Sequence, residues 1–403
     1  MAPAQQIAPA RIQYHKSYST WDQPLWRLEN ELVSILVVDG EGGRPVGFNL
    51  SGHIGLFVLP AGNGPGAGTP YGGNSNWPEI LEGPSRGGPR PGLFDRPVKS
   101  VGPPTGTSLE AGPDSVQLSI QGSLAVGQQG AMDYERRMTL YKASSRVRVL
   151  LTMANKGDRP YQGGRLGERA YYQVEQGGTA HKVYLPLNRQ SLFGPSGFHT
   201  AAPQAPTWLG EAIEGVFVAQ YMPMHQELVA DPGEGWLCFV DEKAGVAYCK
   251  TFAEGAALDG GNEIIVDMQM GVAPAFVRLG VFGPPVDWPK GATREVVLHW
   301  ATARVDGPIL QVDSRRIVTQ WLSLAEEGLS GGYGVFYQGE AQVVVVDLDG
   351  EVLAEGPRQA VSPLDEVVID LPMDFPAGTD RAELWLWDWQ GQWLGVMDSV
   401  EIR

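Results

Sequence analysis

Cysteine and histidine are scarce in this chain: its 403 residues include 2 Cys and 6 His. Neither cysteine has the spacing of a zinc site or the partners of a thiol nucleophile. Positive charge is also short, with 30 Lys and Arg against 46 Asp and Glu and a formal charge of −16. That balance argues against a nucleic-acid partner, because binding to a phosphate backbone runs through a basic surface that releases counterions. A neutral or basic ligand fits better, and solubility alone also accounts for the charge. No apolar run approaches the roughly 18 to 20 residues of a membrane span. The start, MAPAQQIAPARIQ, lacks a basic-then-apolar leader, which leaves two readings of location: cytoplasmic, or secreted or periplasmic as a mature chain. Phosphate loops, dinucleotide fingerprints and Gly-x-Ser-x-Gly elbows are missing, so no cofactor is expected. Sustained helical periodicity is missing as well.

What the chain has in quantity is turn residues between alternating runs. Gly 53 and Pro 31 accompany 43% hydrophobic residues, a composition that suits an all-β protein with a sizeable core. The stretch Met132 to Pro160 predicts two long antiparallel strands, with Arg136 and Arg137 in the first and Val147, Val149 and Leu151 alternating along the second. Asn-Lys-Gly-Asp then closes the unit. Sheets whose strands each aim a polar residue at one concave face are typical sugar-handling surfaces.

Neighbouring segments make the pattern specific. WRLENELVSILVVDGEGGRPVGFNLSG (Trp26 to Gly52) precedes the loop YGGNSNWPE (Tyr71 to Glu79). Downstream lie ERAYYQVEQGG (Glu168 to Gly178), GWLCFVDEKAGVAYCKTF (Gly235 to Phe252) and FGPPVDWPKGATREVVLHWATARVDGP (Phe282 to Pro308). In this order and spacing the chain resembles the galactose-mutarotase-like superfamily, nearest its uncharacterised bacterial branch with a GG-x-x-x-WP loop. The likeness covers residues 20 to 308 and implies a β-supersandwich of two large antiparallel sheets.

After residues 1–19, an N-terminal extension, the expected organisation is therefore a mutarotase-like domain over 20–308, a connector over 309–325 and a small immunoglobulin-like β-sandwich over 326–403. Within the connector, Ser314 to Ser330 has room for one short helix. In the last strands, alternation sets Trp385, Trp387 and Trp389 on one face and Leu384 and Leu386 on the other. That indole row reads either as a stacking platform for sugar rings or as packing between domains.

The two cysteines fall in one predicted hairpin. If Asp241 pairs with Val246, the same register sets Cys238 opposite Cys249, with Cα atoms roughly 4.5 to 5.5 Å apart. A cross-strand disulfide is then possible, while two buried thiols are the commoner outcome in a cytoplasmic protein.

The resemblance also implies where chemistry belongs. Mutarotase-type reactions use a Glu and a His as general base and acid. Where the superfamily carries its His, this chain offers Tyr171, Tyr172 and Gln173; where related chains carry acidic residues before the late Gly-Pro, it offers Arg278 and Gly280. A displaced acid/base pair would draw on His53 or His225 with Glu79 or Glu263. Ligand-binding candidates are Asn49, Asn74, Trp77, Arg137, Gln173 and Lys250: Trp77 would stack on a pyranose face while Arg137, Asn74 and Gln173 bond its hydroxyls. Plainer roles compete, since Asn49 and Asn74 suit turns, Trp77-Pro78 suits a sandwich edge, and Arg137 suits an ion pair. A lone His is more often a satisfied core or loop residue than a catalyst, and no metal site is expected.

Three functions fit these readings: recognition of a carbohydrate partner in the concave face of the large domain, a sugar-modifying enzyme (epimerase, polysaccharide lyase or glycosidase) with a non-standard His/Glu pair, or a structural protein without a ligand. The oligomeric state and the sugar are open.

Overall fold

The computed structural model describes residues 7–17, 24–39, 43–55, 58–59, 71–72, 74–75, 104–126, 130–158, 160–174, 180–191, 193–200, 208–213, 215–222, 226–252, 263–268, 276–284, 286–326 and 328–402. Among them there is no helix, and hence none long and apolar enough to cross a membrane. The expected all-β architecture is what the sheets show.

The largest layer is a ten-stranded antiparallel sheet whose middle contains the strands Gly130–Tyr141, Val147–Asn155, Thr293–Arg304, Val246–Phe252 and Trp236–Asp241. Its inner face carries Val116, Leu118, Ile120, Met138, Leu140, Val147, Val149 and Leu151, all buried in one core. Two smaller sheets close that core from the other side. One is the N-terminal five-stranded sheet contributing Leu28, Ile35, Val37 and Phe48; the other is a six-stranded sheet contributing Ala170, Tyr172, Ile264, Val266, Val277 and Leu279. The period-2 alternation of these runs is what allows one face of each strand to be apolar. Each fully buried Val, Leu or Ile stabilises this arrangement by about 1.5–3 kcal/mol relative to exposure.

Turn chemistry pins the register. Asn30 accepts backbone N–H bonds from Leu32 and Val33 at 2.9 Å each, and its amide donates to the carbonyls of Tyr141 and Ser144. The Asn-Lys-Gly-Asp segment works the same way: Asn155 accepts from Gly157 N–H and donates to Trp288 O, both at 2.9 Å.

The cysteine hairpin has the expected register, with Asp241 opposite Val246 and Cys238 opposite Cys249. The two cysteines form a disulfide, and their Cα atoms lie 4.1 Å apart. That is closer than the expected window and oxidised where free thiols were the commoner expectation.

The outer face of the ten-stranded sheet is divided. Over Cys238, Val240, Ala247, Cys249, Ala301 and Ala303 it packs against Ile309, Val312, Ile317 and Phe336. These last residues lead into a four-stranded and a five-stranded sheet that enclose a second core of Val318, Tyr333, Val343, Val345, Leu384 and Leu386. Ser314 to Ser330 holds no helix: Arg316–Ala325 is a strand paired with Gly328–Val335. Its β-branched Ile317, Val318 and Thr319 favour extended backbone, and its buried side chains serve two cores. Trp385 and Trp387 do share a face, but Trp389 lies in the following turn with the Lys142 ammonium 3.9 Å from its ring centroid.

Candidate functional site

The outward face of the six-stranded sheet gathers an unusual set of side chains. Its strands run in the order Phe198–Thr200, Gln226–Ala230, Glu263–Met268, Phe276–Phe282, Gly167–Gln173 and Asn74–Ser75. Directly opposed residues of antiparallel neighbours share a face. The pairings Glu227 with Asp267, Asp267 with Arg278, and Arg278 with Tyr171 therefore set four residues in one row across four strands. One step along, His199 opposes Val229, Val229 opposes Ile265, Ile265 opposes Gly280, and Gly280 opposes Arg169.

Burial makes this face distinctive. Arg169, Tyr171 and Arg278 are all buried, beside the fully enclosed rings of Phe276 and Phe282. The Arg278 guanidinium lies 5.8 Å from the Tyr171 ring centroid and that of Arg169 lies 5.5 Å from Phe282, while Tyr171 and Phe276 sit 5.2 Å apart. Guanidinium planes over aromatic faces are held in fixed orientation, and such contacts strengthen as water is removed. Gly280 leaves room for this packing: a methyl there would come within 2.7 Å of the Phe282 ring and 3.4 Å of Arg169 Cγ. His199 is half-buried at the sheet edge, and its Nε2 is buried with no hydrogen-bond partner among the described residues.

The residues singled out from sequence distribute as follows. Trp77, Glu79 and His225 lie outside the described residues. Asn74, Gln173 and Glu263 stand on the six-stranded sheet, opposite Ala170, Phe276 and Phe282 respectively. The others are elsewhere. Arg137 is on the outer face of the ten-stranded sheet, half-exposed and paired with Glu135 at 2.9 Å. It stands on a different sheet from Asn74, and its neighbour Arg136 is the buried member of the pair, donating to Gly43 O. Burial pushes the Arg136 guanidinium down to about 10, against the raising influence of Tyr134 and Glu168.

Lys250 points into the sandwich core, where it is ion-paired with Glu168 from the facing sheet. Glu168 also accepts a 2.7 Å bond from Trp300 Nε1. Burial pushes the Lys250 ammonium below its usual range while Glu168 pulls it back up. This is a charge bridge between layers, closed to a ligand.

Asn49 belongs to the N-terminal sheet and reaches Ser34 Oγ at 3.4 Å. His53, at the edge of that sheet, contacts the Tyr248 hydroxyl at 2.9 Å and Asp241 at 3.1 Å, with His181 3.7 Å from the same carboxylate. Burial raises the Asp241 carboxyl, but hydrogen bonds from His181, His53 and the Ala244 N–H outweigh it and hold the group well below the usual carboxylate range. His53 is thus engaged in a linkage that ties the N-terminal sheet to the ten-stranded one.

Sequence reasoning noted Tyr171 and Arg278 only as residues standing where catalytic groups were expected, and did not single out Arg169. A signal existed: alternation in ERAYYQ sets Arg169, Tyr171 and Gln173 on one face, and FVRLGVF sets Arg278 between Phe276 and Gly280 on another.

No family model matches the chain, and no curated protein matches it. Solved structures do. The chain is similar to a putative aldose 1-epimerase from Escherichia coli K12 at 12% identity, covering 73% of this chain and 100% of that one, with a TM-score of 0.47. It is also similar to a galactose mutarotase-like protein from Clostridium acetobutylicum at 9% identity, covering 73% and 99%, with a TM-score of 0.46. A third is a TPR-domain containing protein from Parabacteroides distasonis at 11% identity, covering 72% of this chain, with a TM-score of 0.46. The chain spans about half of that protein's length, 49%. Proteins described as mutarotase-like thus stand among the solved structures to which the chain is similar.

Proposed function

We propose that this protein recognises a carbohydrate on the outward face of its six-stranded sheet, with Arg278, Arg169 and Tyr171 as the central contacts. The observation that carries the reading is the buried Tyr171–Arg278 contact with Arg169 on the next row, each guanidinium against an aromatic face. A guanidinium fork supplies several donors in one plane, and the aromatic ring beneath each holds that plane in a fixed orientation. Such forks match the hydroxyl rim of a pyranose. Screening a glycan array and then measuring the best binder by calorimetry tests this: Arg278→Lys should weaken binding at least tenfold in a protein that melts as the parent does. Unchanged affinity would remove the proposal.

One observation favours catalysis as a second reading. His199 and Glu227 lie on this same face on adjacent strands, diagonal to one another, and the buried His199 Nε2 has no partner among the described residues. An imidazole and a carboxylate at roughly 7–8 Å diagonal spacing can act from two sides of one sugar ring. His199→Ala would then abolish turnover of a bound sugar, such as anomer exchange followed by NMR, while leaving its affinity intact.

A further inference from the structure

The five-stranded C-terminal sheet has an outward face that neither of its neighbouring cores uses. Leu384, Leu386, Val343 and Val345 point into the second core. The opposite face carries Trp385 and Trp387 from the strand Arg381–Asp388, Trp393 from Trp393–Glu401, and Glu340 and Gln342 from Gly339–Val346. Trp385 lies 5.9 Å from both Trp387 and Trp393, centroid to centroid.

A tight turn builds this cluster. The Asp388 side chain accepts from Gln390 and Gln392 N–H at 2.9 and 2.8 Å, and Gly391 takes the left-handed φ of +79° that closes the hairpin. That closure brings Trp393 back opposite Trp387.

The indoles are held by polar groups around them. Trp385 Nε1 donates to Glu383 at 2.7 Å, and Glu383 also pairs with Arg381 at 2.7 Å. Arg358 lies 4.3 Å over the Trp387 ring and pairs with Glu340 at 3.2 Å, and it donates to Gln342 at 3.2 Å. Trp387 is consequently covered, while Trp393 stays 54% exposed.

We propose that this face is a second carbohydrate-binding surface, separate from the six-stranded sheet, on which Trp393 and Trp385 stack the C–H faces of neutral pyranose rings. Three observations select that occupant. The exposed aromatic area is one indole and part of another, far below the roughly 1,000 Å² that a stable protein interface buries. Both arginines of the rim are already held by carboxylates, Arg358 by Glu340 and Arg381 by Glu383 and Asp380, and Glu355 beside Gln342 leaves the surroundings net negative, which disfavours an anionic ligand and leaves a neutral one unopposed. The same rim offers carboxylate and amide oxygens beside the rings, which hydroxyl groups can use and a purely apolar partner cannot.

Cellohexaose and maltohexaose, titrated into the full chain and followed by tryptophan fluorescence and calorimetry, test the proposal. At least one should bind, with Trp393→Ala weakening it tenfold or more and Trp393→Tyr restoring most of the affinity. Binding that is unchanged in Trp393→Ala would place the sugar away from this face and overturn the proposal here. It is equally overturned if neither oligosaccharide binds, or if light scattering finds a dimer of this chain that Trp393→Ala dissolves. Circular dichroism confirms that each variant is folded.

Discussion

The strand Gly167–Gln173 buries charge on both of its faces, and the two faces work differently. Inward, Glu168 meets Lys250 and Trp300 between the layers, and the ion pair is wholly enclosed. Outward, one residue later, Arg169 lies against Phe282, and Tyr171 beyond it lies against Arg278. The inner pair joins two sheets, so its geometry is dictated by the core packed around it. The outer contacts of Arg169 with Phe282 and of Arg278 with Tyr171 run between neighbouring strands of one sheet. Burial by itself therefore does not mark a functional charge; the two differ in whether the contact joins two sheets or neighbouring strands of one.

The comparison breaks most sharply at Lys250. Lys250→Ala leaves Glu168 charged and unpaired in the core, and chemical denaturation should show a loss of about 3–5 kcal/mol. The double variant Glu168→Gln with Lys250→Met should recover much of it, since an uncharged replacement of both partners removes the stranded charge and the new amide oxygen at position 168 can still accept from Trp300 Nε1. The folded fraction of either variant should bind sugar as the parent does; reduced affinity there would merge the two faces into one site.

Arg278→Lys is the converse test. It keeps the charge but loses the planar fork, and should cost about 1.5–3 kcal/mol in sugar affinity by calorimetry with a stability change under about 1 kcal/mol. A large fall in melting temperature would show the outer arginines to be structural as well.

The smallest effect concerns a half-buried group that stays neutral. His299 is part of a groove of about 540 Å³ between the ten-stranded sheet and the C-terminal sheets, lined also by Arg146, Trp236, Thr251 and Asp313. Burial, then the charges of Arg146 and Arg148, push its imidazole down to about 4. The unfolded chain, with a His near 6.5, binds this proton first. Stability is thus full above pH 6.5 and declines as pH falls toward 4. Allowing for solvent screening of a group this exposed, the loss should be about 1 kcal/mol, and His299→Gln should remove it from a pH series of melts. A decline between pH 6.5 and 4 that is unchanged in His299→Gln would show that this histidine is not its cause. Asp241 acts in a separate window: its depressed carboxyl lends stability above the usual Asp range that is lost only as pH falls below it.

How far the chain could be read follows from distance along the backbone. The register of Cys238 and Cys249 was legible because a four-residue turn and strict alternation leave one pairing. The role of Arg136 against Arg137 was not, because alternation separates two faces without saying which one is covered. The helix expected within Ser314 to Ser330 failed for a related reason: local polarity resembled a connector, whereas Ile317 and Val318 were committed to two cores that only distant strands complete.

Sequence by itself determined that this protein is built of strands, where many of its turns fall and which side chains share a face, because those properties depend on neighbours a few residues apart. Only the tertiary structure decided that Lys250 is an internal tie rather than a ligand contact, that His53 is bound to Asp241 and Tyr248, and that Arg169, Tyr171 and Arg278 lie together under cover. Those outcomes depend on which sheet packs on which, and packing pairs residues as far apart as Glu168 and Lys250 or His53 and Tyr248, whose proximity no local pattern encodes.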